Sequence, residues 1–541
     1  MRPLIQEVIT AQTPEALVAR LRGEPGLVLL RTTQFDTPAA RYSFVTAKPF
    51  LTFRSLGSRC ELCFSPSPDA ACPAPQVQFG NPWHLLDALM ARYELLDEID
   101  LPFPLGGAFG YWGYDLKNFT EPKLPRRAVN DLELPDCHVG FYDSLVVFDH
   151  RLGKVSVVAT GLSADGSRSE ARAQSQYEFW RIRLADTAEA TLIPDRSGSE
   201  RSEESPFPRP SLLGERAGLR AGVTSNLTRA EFIAAVTRAQ KYIRAGDIYQ
   251  VNLSQRLTAD TGQLPMEERN QPARVDARSA GQSSPERGER SAALAMGWAM
   301  FERLSTVSPA PFSAYLDCDS GERCFQIASS SPEQFLRMSG AHIVTRPIKG
   351  TRPRDADPTR DAQLAYELQT SAKELAELVM ITDLLRNDLG RVCEYGSVQV
   401  PELAKLEKFA QVQHLVSTVE GRLKPDVTHF AAFAACFPGG SITGAPKFRA
   451  MEIIDELEPI SRGPYCGAIG YLGFNRESQL NIAIRTAVCM GEQVHFNIGA
   501  GIVADSDPAA EYEETLAKAR GFLAALEASD RSMNPGRLGI V

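Results

Sequence analysis

Glu374 and Glu377 stand three residues apart in ELAELVMITDLL, and Glu511 and Glu514 stand three apart in EYEETLAK. Residues at i and i+3 of a helix share a face, so each segment can aim two carboxylates in one direction. Two such faces brought together repel unless a cation lies between them. Mg²⁺ suits that role, because it takes one or two carboxylates, keeps waters and accepts oxygens of an anionic substrate. The spacing alone leaves a second reading open, with both faces solvated and Glu514 and Lys518 forming an ordinary i, i+4 pair.

A second group of residues offers a nucleophile and an acid. In RPIKGTR (346–352) a lysine sits between proline and glycine on a stiff connection. Desolvated beside Arg346 and a metal ion, the Lys349 amine would lose its proton more readily and become nucleophilic. The alternative is a surface lysine in a basic turn. Glu333 in SSSPE (329–333) is a candidate acid or base. The run FPGGSITGAPK (437–447) has the glycine spacing of a phosphate loop, but Ala445 stands where the lysine must be, so a nucleotide site fails. What remains is a glycine-rich turn entering a helix near Pro446, either an anion cradle or a tight connection needing positive φ. GAGIVA (499–504) follows a strand, but the next helix starts too late for a dinucleotide fold; exposed amides beside a carboxylate fit better.

These side chains need elements to hold them. Thr228 followed by Glu231 is a capping-box start, and Phe232, Val236, Ala239 and Ile243 form one apolar helix face ending before Gly246. Ile248–Leu253, Phe325–Ser329 and His495–Ile498 read as strands, Glu374–Leu389 as a helix, and Pro508 opens a last helix to about Leu526. Earlier in the chain, Leu27–Leu30, Tyr42–Val45, Leu51–Phe53 and Ser144–Phe148 are short apolar runs between turn residues. GGAFGYWGY (106–114) sets glycines between aromatics, as close backbone packing in a sheet requires. Two polar stretches interrupt this pattern, and they divide the chain into a β-rich region 1–185, a linker 186–222 and a catalytic region 223–541 with an exposed insertion at 259–292.

Composition sets the outer bounds. The 541 residues are 43% hydrophobic and 23% charged, which excludes wholesale disorder, and Lys+Arg 58 against Asp+Glu 67 gives a net charge of −9 with no basic tract. That balance argues against a dedicated nucleic-acid binder. No apolar run is long enough to span a membrane, no leader is visible at the start, and ten cysteines form no framework, so a cytoplasmic protein with reduced thiols is expected. Cys60 and Cys63, with Cys72 nearby, are a lone CxxC without the second pair a zinc site wants.

From about Ala221 to Leu526, outside the insertion, the chain resembles the chorismate-binding enzymes. The stretches that carry the likeness include GDIYQVNLSQR (246–256), SSSPEQFL (329–336), RPIKGTRPR (346–354), FPGGSITGAPKFRAMEIIDELE (437–458) and GAGIVADSDPAAEYEETLAKA (499–519). LLRTTQFDTPAARYSF (29–44) is similar to the family's N-terminal region, more loosely. The resemblance implies an α+β fold, a large two-layered β-sandwich with helices packed outside. Within the family, anthranilate-forming members usually read PIAGT and aminodeoxychorismate-forming members PIKGT, as here. Gln250 stands where members that add water carry a lysine base, and a glutamine cannot act as that base.

The resemblance therefore implies amination of chorismate at C4, giving 4-amino-4-deoxychorismate on the way to p-aminobenzoate and folate. By that likeness Lys349 attacks C2 while Glu333 protonates the departing hydroxyl, and ammonia then adds at C4 and expels the lysine. Glu333 should then keep its proton near neutral pH through an apolar or anionic setting. Mg²⁺ is implied on Glu377 and Glu514, supported by Glu374 and Glu511. His414, Thr443, Tyr465, Arg485, Lys518 and the Gly499 and Gly501 amides match positions that hold the substrate. A glutamine amidotransferase subunit is implied as the ammonia source, since this chain has no Gly-x-Cys-x-Gly nucleophile of its own. Family members bind tryptophan in an N-terminal pocket, and Thr32, Arg41, Tyr42, Ser43, Phe44, Pro311, Phe312 and Ser313 match that region. Thr32 replaces the usual serine and Arg31 an acidic residue, which leaves regulation by tryptophan open. Anthranilate formation is the runner-up activity. A tryptophan-binding homologue without catalysis is the alternative of another class, and competent side chains at every candidate position argue against it.

Overall fold

Helix starts follow the local chemistry. The Thr228 hydroxyl accepts from Glu231 N–H at 3.2 Å, and the Glu231 carboxylate accepts from Thr228 N–H at 2.8 Å, closing the capping box of the Arg229–Arg244 helix. Ser371 caps the Ala372–Val392 helix through Glu374 N–H, and Pro508 opens the Pro508–Arg531 helix. The computed structural model describes residues 2–32, 40–65, 74–96, 101–185, 222–261, 285–319, 324–409 and 412–531. The expected linker, save residue 222, lies outside the described residues, as do Cys72 and residues 262–284 of the expected insertion. At the two ends of the 259–292 stretch, one strand runs on to Asp260 and a helix begins at Pro285.

Among the described residues, two 12-stranded sheets form the frame. The first runs in the order Leu4–Val8, Lys154–Ala159, Ser144–Asp149, Tyr42–Thr46, Val28–Arg31, Phe312–Asp319, Cys324–Ser331, Thr486–Met490, Gln493–Ile502, Gln250–Asp260 and Val223–Ser225, with Gly444–Ala445 beside Gln250–Asp260. The second runs Ile348–Pro353, Val412–Arg422, His342–Arg346, Gln334–Ser339, Glu477–Ile482, Ala468–Gly473, Gly107–Trp112, Cys137–Tyr142, Leu51–Leu56, Arg59–Phe64 and Gln76–Phe79, with Gln399–Lys408 beside Val412–Arg422. Pairing within both is antiparallel, and each sheet takes strands from both sides of residues 186–222.

The sheets face each other across an aromatic core. Phe44 of the first sheet meets Tyr471 of the second at 5.2 Å, and Tyr111 of the second meets Phe325 of the first at 6.2 Å. Burying such rings is the main favourable term in holding the layers together. Gly110 lies opposite Gly470, and a Cβ on Gly110 would come within 2.1 Å of the His138 carbonyl, so the glycine-aromatic run does serve close strand approach. On the outer face of the first sheet Trp180, Trp298 and Phe522 pack from helices, with Phe522 stacked on Phe496 at 4.5 Å. Beyond the second sheet, Phe433 of the His429–Cys436 helix packs edge-on against Trp83 and Trp112. No helix among the described residues is long and apolar enough to cross a membrane.

Cys60 and Cys63 both lie in the Arg59–Phe64 strand, where residues three apart point to opposite faces. Neither thiol is in a disulfide, and strand geometry keeps the two from serving one metal ion together.

Candidate active site

Lys349 is aimed by a β-bulge. Lys349 pairs with Leu415 and Thr351 with His414, so Gly350 is an extra residue in its strand. Gly350 has φ of 67°, and a Cβ there would meet Leu368 at 2.7 Å and a Glu374 carboxylate oxygen at 3.1 Å. Only glycine fits, and the bulge sets the lysine beside the carboxylate-bearing helix. The Lys349 amine donates to the Ser441 carbonyl at 3.3 Å. Arg346, expected to be its cationic neighbour, is instead engaged by Glu407 and Thr418. Carboxylates face the lysine: its charge acts on both Glu333 and Glu377.

Glu333 leaves the end of the Cys324–Ser331 strand and is 6% exposed. Burial pushes its carboxyl above the usual range, against the opposing pull of Lys349, the Ser441 hydroxyl and the Ile348 N–H. Ser441 was not singled out in the sequence. Its only signal was its place in the glycine-rich turn, which forms a short 3₁₀ segment, Gly440–Ile442.

The four glutamates converge from two helices. Burial raises the Glu377 carboxyl, and Glu374 and Glu514 raise it further, while Lys349 and Lys373 oppose them. Burial also raises Glu511, which accepts from the Ser506 hydroxyl at 2.6 Å and feels Glu514. Arg352 lies 3.6 Å from Glu374, and Lys518 pairs with Glu514 at 2.9 Å. No three His, Cys, Asp or Glu side chains among the described residues close into a metal cage.

A cation lies beside His414. Arg485 takes the left-handed φ of 50° between two strands, and its carbonyl accepts from Ser330 N–H. Its half-buried guanidinium has no hydrogen bond or ion pair to the described residues, and burial lowers its pKa. A desolvated guanidinium without a counterion is a receptor for a carboxylate. Its charge also reaches His414, whose pKa falls to about 4 through burial first and Arg485 second, so the imidazole is neutral. His414 Nδ1 contacts the Thr351 hydroxyl at 2.9 Å. Arg485→Ala should raise KM for a dianionic substrate about 10- to 100-fold with a smaller change in kcat, in line with ~1.5–3 kcal/mol for a charge-assisted hydrogen bond. Steady-state kinetics check it.

The remaining positions are placed as follows. The Tyr465 hydroxyl stands over Gly499, 2.9 Å from where a Cβ would be. Gly499 and Gly501 lie inside the Gln493–Ile502 strand, opposite Ser254 and Asn252, so the strand runs past the expected end at Ile498. Lys518 donates to the Gly499 carbonyl at 2.9 Å. The Thr443 hydroxyl donates within its own loop, to Gly439 and Gly440 carbonyls, and so shapes the turn. Arg462, not foreseen, ties these pieces together: it is buried, paired with Glu458, and donates to the Ile442 and Asn252 carbonyls. Of the residues matched to an amino-acid pocket, Thr32, Tyr42, Phe44, Pro311, Phe312 and Ser313 line an open recess of about 380 Å³. Arg41 turns away to Asp149, and Ser43 to His150, so neither lines it.

An amine, a buried carboxyl with a raised pKa, a set of four carboxylates and an uncompensated guanidinium define a site for a small, multiply anionic substrate. The sequence matches the chorismate binding enzyme family over residues 50–272 and 290–524, and the chain belongs to that family. It is 37% identical to aminodeoxychorismate synthase component 1 of Salmonella typhimurium over 97% of this chain and 100% of that one. It is 40% identical to anthranilate synthase component 1 of Thermus thermophilus over 83% of this chain and 84% of that one. The fold matches anthranilate synthase component I of Streptococcus pneumoniae with a TM-score of 0.65 at 28% identity, covering 96% of this chain and 99% of that one. The α+β fold with two facing antiparallel sheets, expected from the sequence, is the family's fold.

Proposed function

We propose that the chain aminates chorismate at C4, giving 4-amino-4-deoxychorismate, with ammonia supplied by a glutamine amidotransferase subunit in the cytoplasm. The observation that carries this reading is Lys349, held by the Gly350 bulge with its charge acting on Glu333 on one side and Glu377 on the other. Chorismate is a dicarboxylate with a hydroxyl at C4, a poor leaving group. The Lys349 amine forms a bond to C2, the ring double bond shifts, and the C4–O bond breaks as Glu333 gives its proton to the oxygen, which leaves as water. Ammonia then bonds to C4, the double bond shifts back, and the C2–N bond breaks to free the lysine. Two moderate barriers replace one high one. Arg485 receives a substrate carboxylate.

The donor set suits Mg²⁺. Four hard oxygen ligands come from two helices, and burial, with neighbouring glutamates adding to it, keeps the Glu377 and Glu511 carboxyls raised despite Lys349, Lys373 and Lys518. Glu377 and Glu514 would hold the ion, with Glu374 and Glu511 behind them. Bound there, Mg²⁺ would neutralise the ring carboxylate against these carboxylates. EDTA should remove nearly all turnover and added Mg²⁺ restore it; turnover indifferent to EDTA sinks the metal assignment.

The test of the reaction is incubation with chorismate, Mg²⁺ and ammonium, with mass analysis of the product. An aminated product that keeps its pyruvyl ether is expected. The likeness to the Thermus protein supports a second reading, anthranilate formation, which would instead release pyruvate and give a fluorescent product.

A further inference from the structure

The inner face of the first sheet carries buried polar atoms that the chemistry above does not use. Gln250–Asp260 and Gln493–Ile502 pair without a register shift, Arg256 opposite Asn497, Ser254 opposite Gly499 and Asn252 opposite Gly501. Side chains repeat on one face every second residue. His495 and Asn497 therefore share a face with the two glycines, and Arg256 and Asn252 share it with Gln250. On that one face four buried atoms have no hydrogen-bond partner among the described residues: His495 Nε2, Arg256 Nε, Asn252 Oδ1 and Gln250 Oε1. Buried polar atoms are nearly always satisfied. Four in file call for small polar molecules between them.

A narrow, partly open recess lies at the outer end of this file, with Asn130 and Ser461 at its exposed side, His495 and Asn497 on its floor and Tyr465 as a wall. The same Tyr465 stands over Gly499. A Cβ on Gly499 would come within 2.9 Å of Asn252 Oδ1, and one on Gly501 within 2.6 Å of Gln250 Nε2. Bare backbone at both positions lets these polar side chains lie directly against the strand.

We propose that this file is the passage by which ammonia reaches the chorismate site, entering beside Asn130 and Ser461 and passing His495, Asn497 and Tyr465 to Gly499. The proposal rests on the amination reading above. Ammonia both donates and accepts, so it meets an imidazole nitrogen in either tautomer and an amide oxygen alike. The Arg256 cation, held by Asp131, disfavours ammonium and favours the neutral molecule. Burial holds His495 at a pKa of about 4, so its ring adds no charge of its own.

The test uses the full chain with chorismate, Mg²⁺ and ammonium chloride, scored by aminated product. Asn497→Leu fills the file with an apolar side chain. Ser461→Trp covers its mouth at a half-buried position and serves if the first variant melts early. Each should raise KM for ammonia about 10-fold or more while leaving KM for chorismate unchanged. If the wild type makes no aminated product, the proposed function fails before any variant is needed. If it does, and folded variants keep the wild-type KM for ammonia, the passage is overturned. A parallel rise in KM for chorismate overturns it as well, because the recess would then belong to the chorismate site.

Discussion

Lys349→Ala should lower formation of aminated chorismate by about 10³-fold or more, while chorismate still binds. The amine is the only protein group in the proposed chemistry that makes a covalent bond to the ring, so alanine removes a step rather than a contact. The substitution sits in a half-exposed strand at a sheet edge, and its hydrogen bond to the Ser441 carbonyl is long at 3.3 Å, so the fold should be little disturbed. Ammonia would then face an intact C4 hydroxyl with no prior activation. Direct attack with elimination of pyruvate, the anthranilate-like outcome, is the expected residual product. Mass analysis separates the two, and an intact protein adduct on the wild-type chain, absent from the variant, would mark the covalent step. Full amination by the alanine variant refutes the nucleophile. Lys349→Arg should not rescue, because a guanidinium stays protonated and does not attack carbon.

Local chemistry made some of this structure legible. The Thr228 capping box, the Pro508 helix start and the short apolar strands are encoded within a few residues of themselves, and they stand where the sequence places them. The interleaving of strands from both halves in each sheet is a matter of pairing across hundreds of residues, on which local periodicity is silent. The same holds at the site. Lys349 was visible from its proline–glycine setting, but the bulge that aims it arises only when Thr351 meets His414 across the sheet. Arg346 looked like its electrostatic partner by proximity in sequence. The sheet puts Glu407 within its reach instead, because that residue comes from a strand two places away. Gly499 and Gly501 read as loop glycines because glycine breaks strand patterns, yet pairing with Asn252 and Ser254 carries the strand through them. Arg462 gave no signal at all. Its role is to join three segments distant in sequence, and only burial with Glu458 reveals it.

Glu333→Gln should lower amination about 10²- to 10³-fold, the usual range for removing a positioned acid, and change the pH profile as well as the rate. The acid acts through its protonated form. Burial raises the carboxyl from its ordinary value of 4.5 despite Lys349, Ser441 and Ile348, so the proton is retained further toward neutrality. Wild-type activity should therefore fall on an alkaline limb as pH rises through the raised value, and the glutamine variant should lack that limb. Stability gives an independent readout. A carboxyl raised in the fold has its full share of stability below the unfolded pKa near 4.5 and loses it as pH rises through the folded value. The uncharged glutamine pays no such penalty. The variant should thus melt at a higher temperature than the wild type at pH 8, with the gap closing toward pH 4. A melting difference that does not vary with pH would show that Glu333 ionises normally, and general acid catalysis would have to pass to another group.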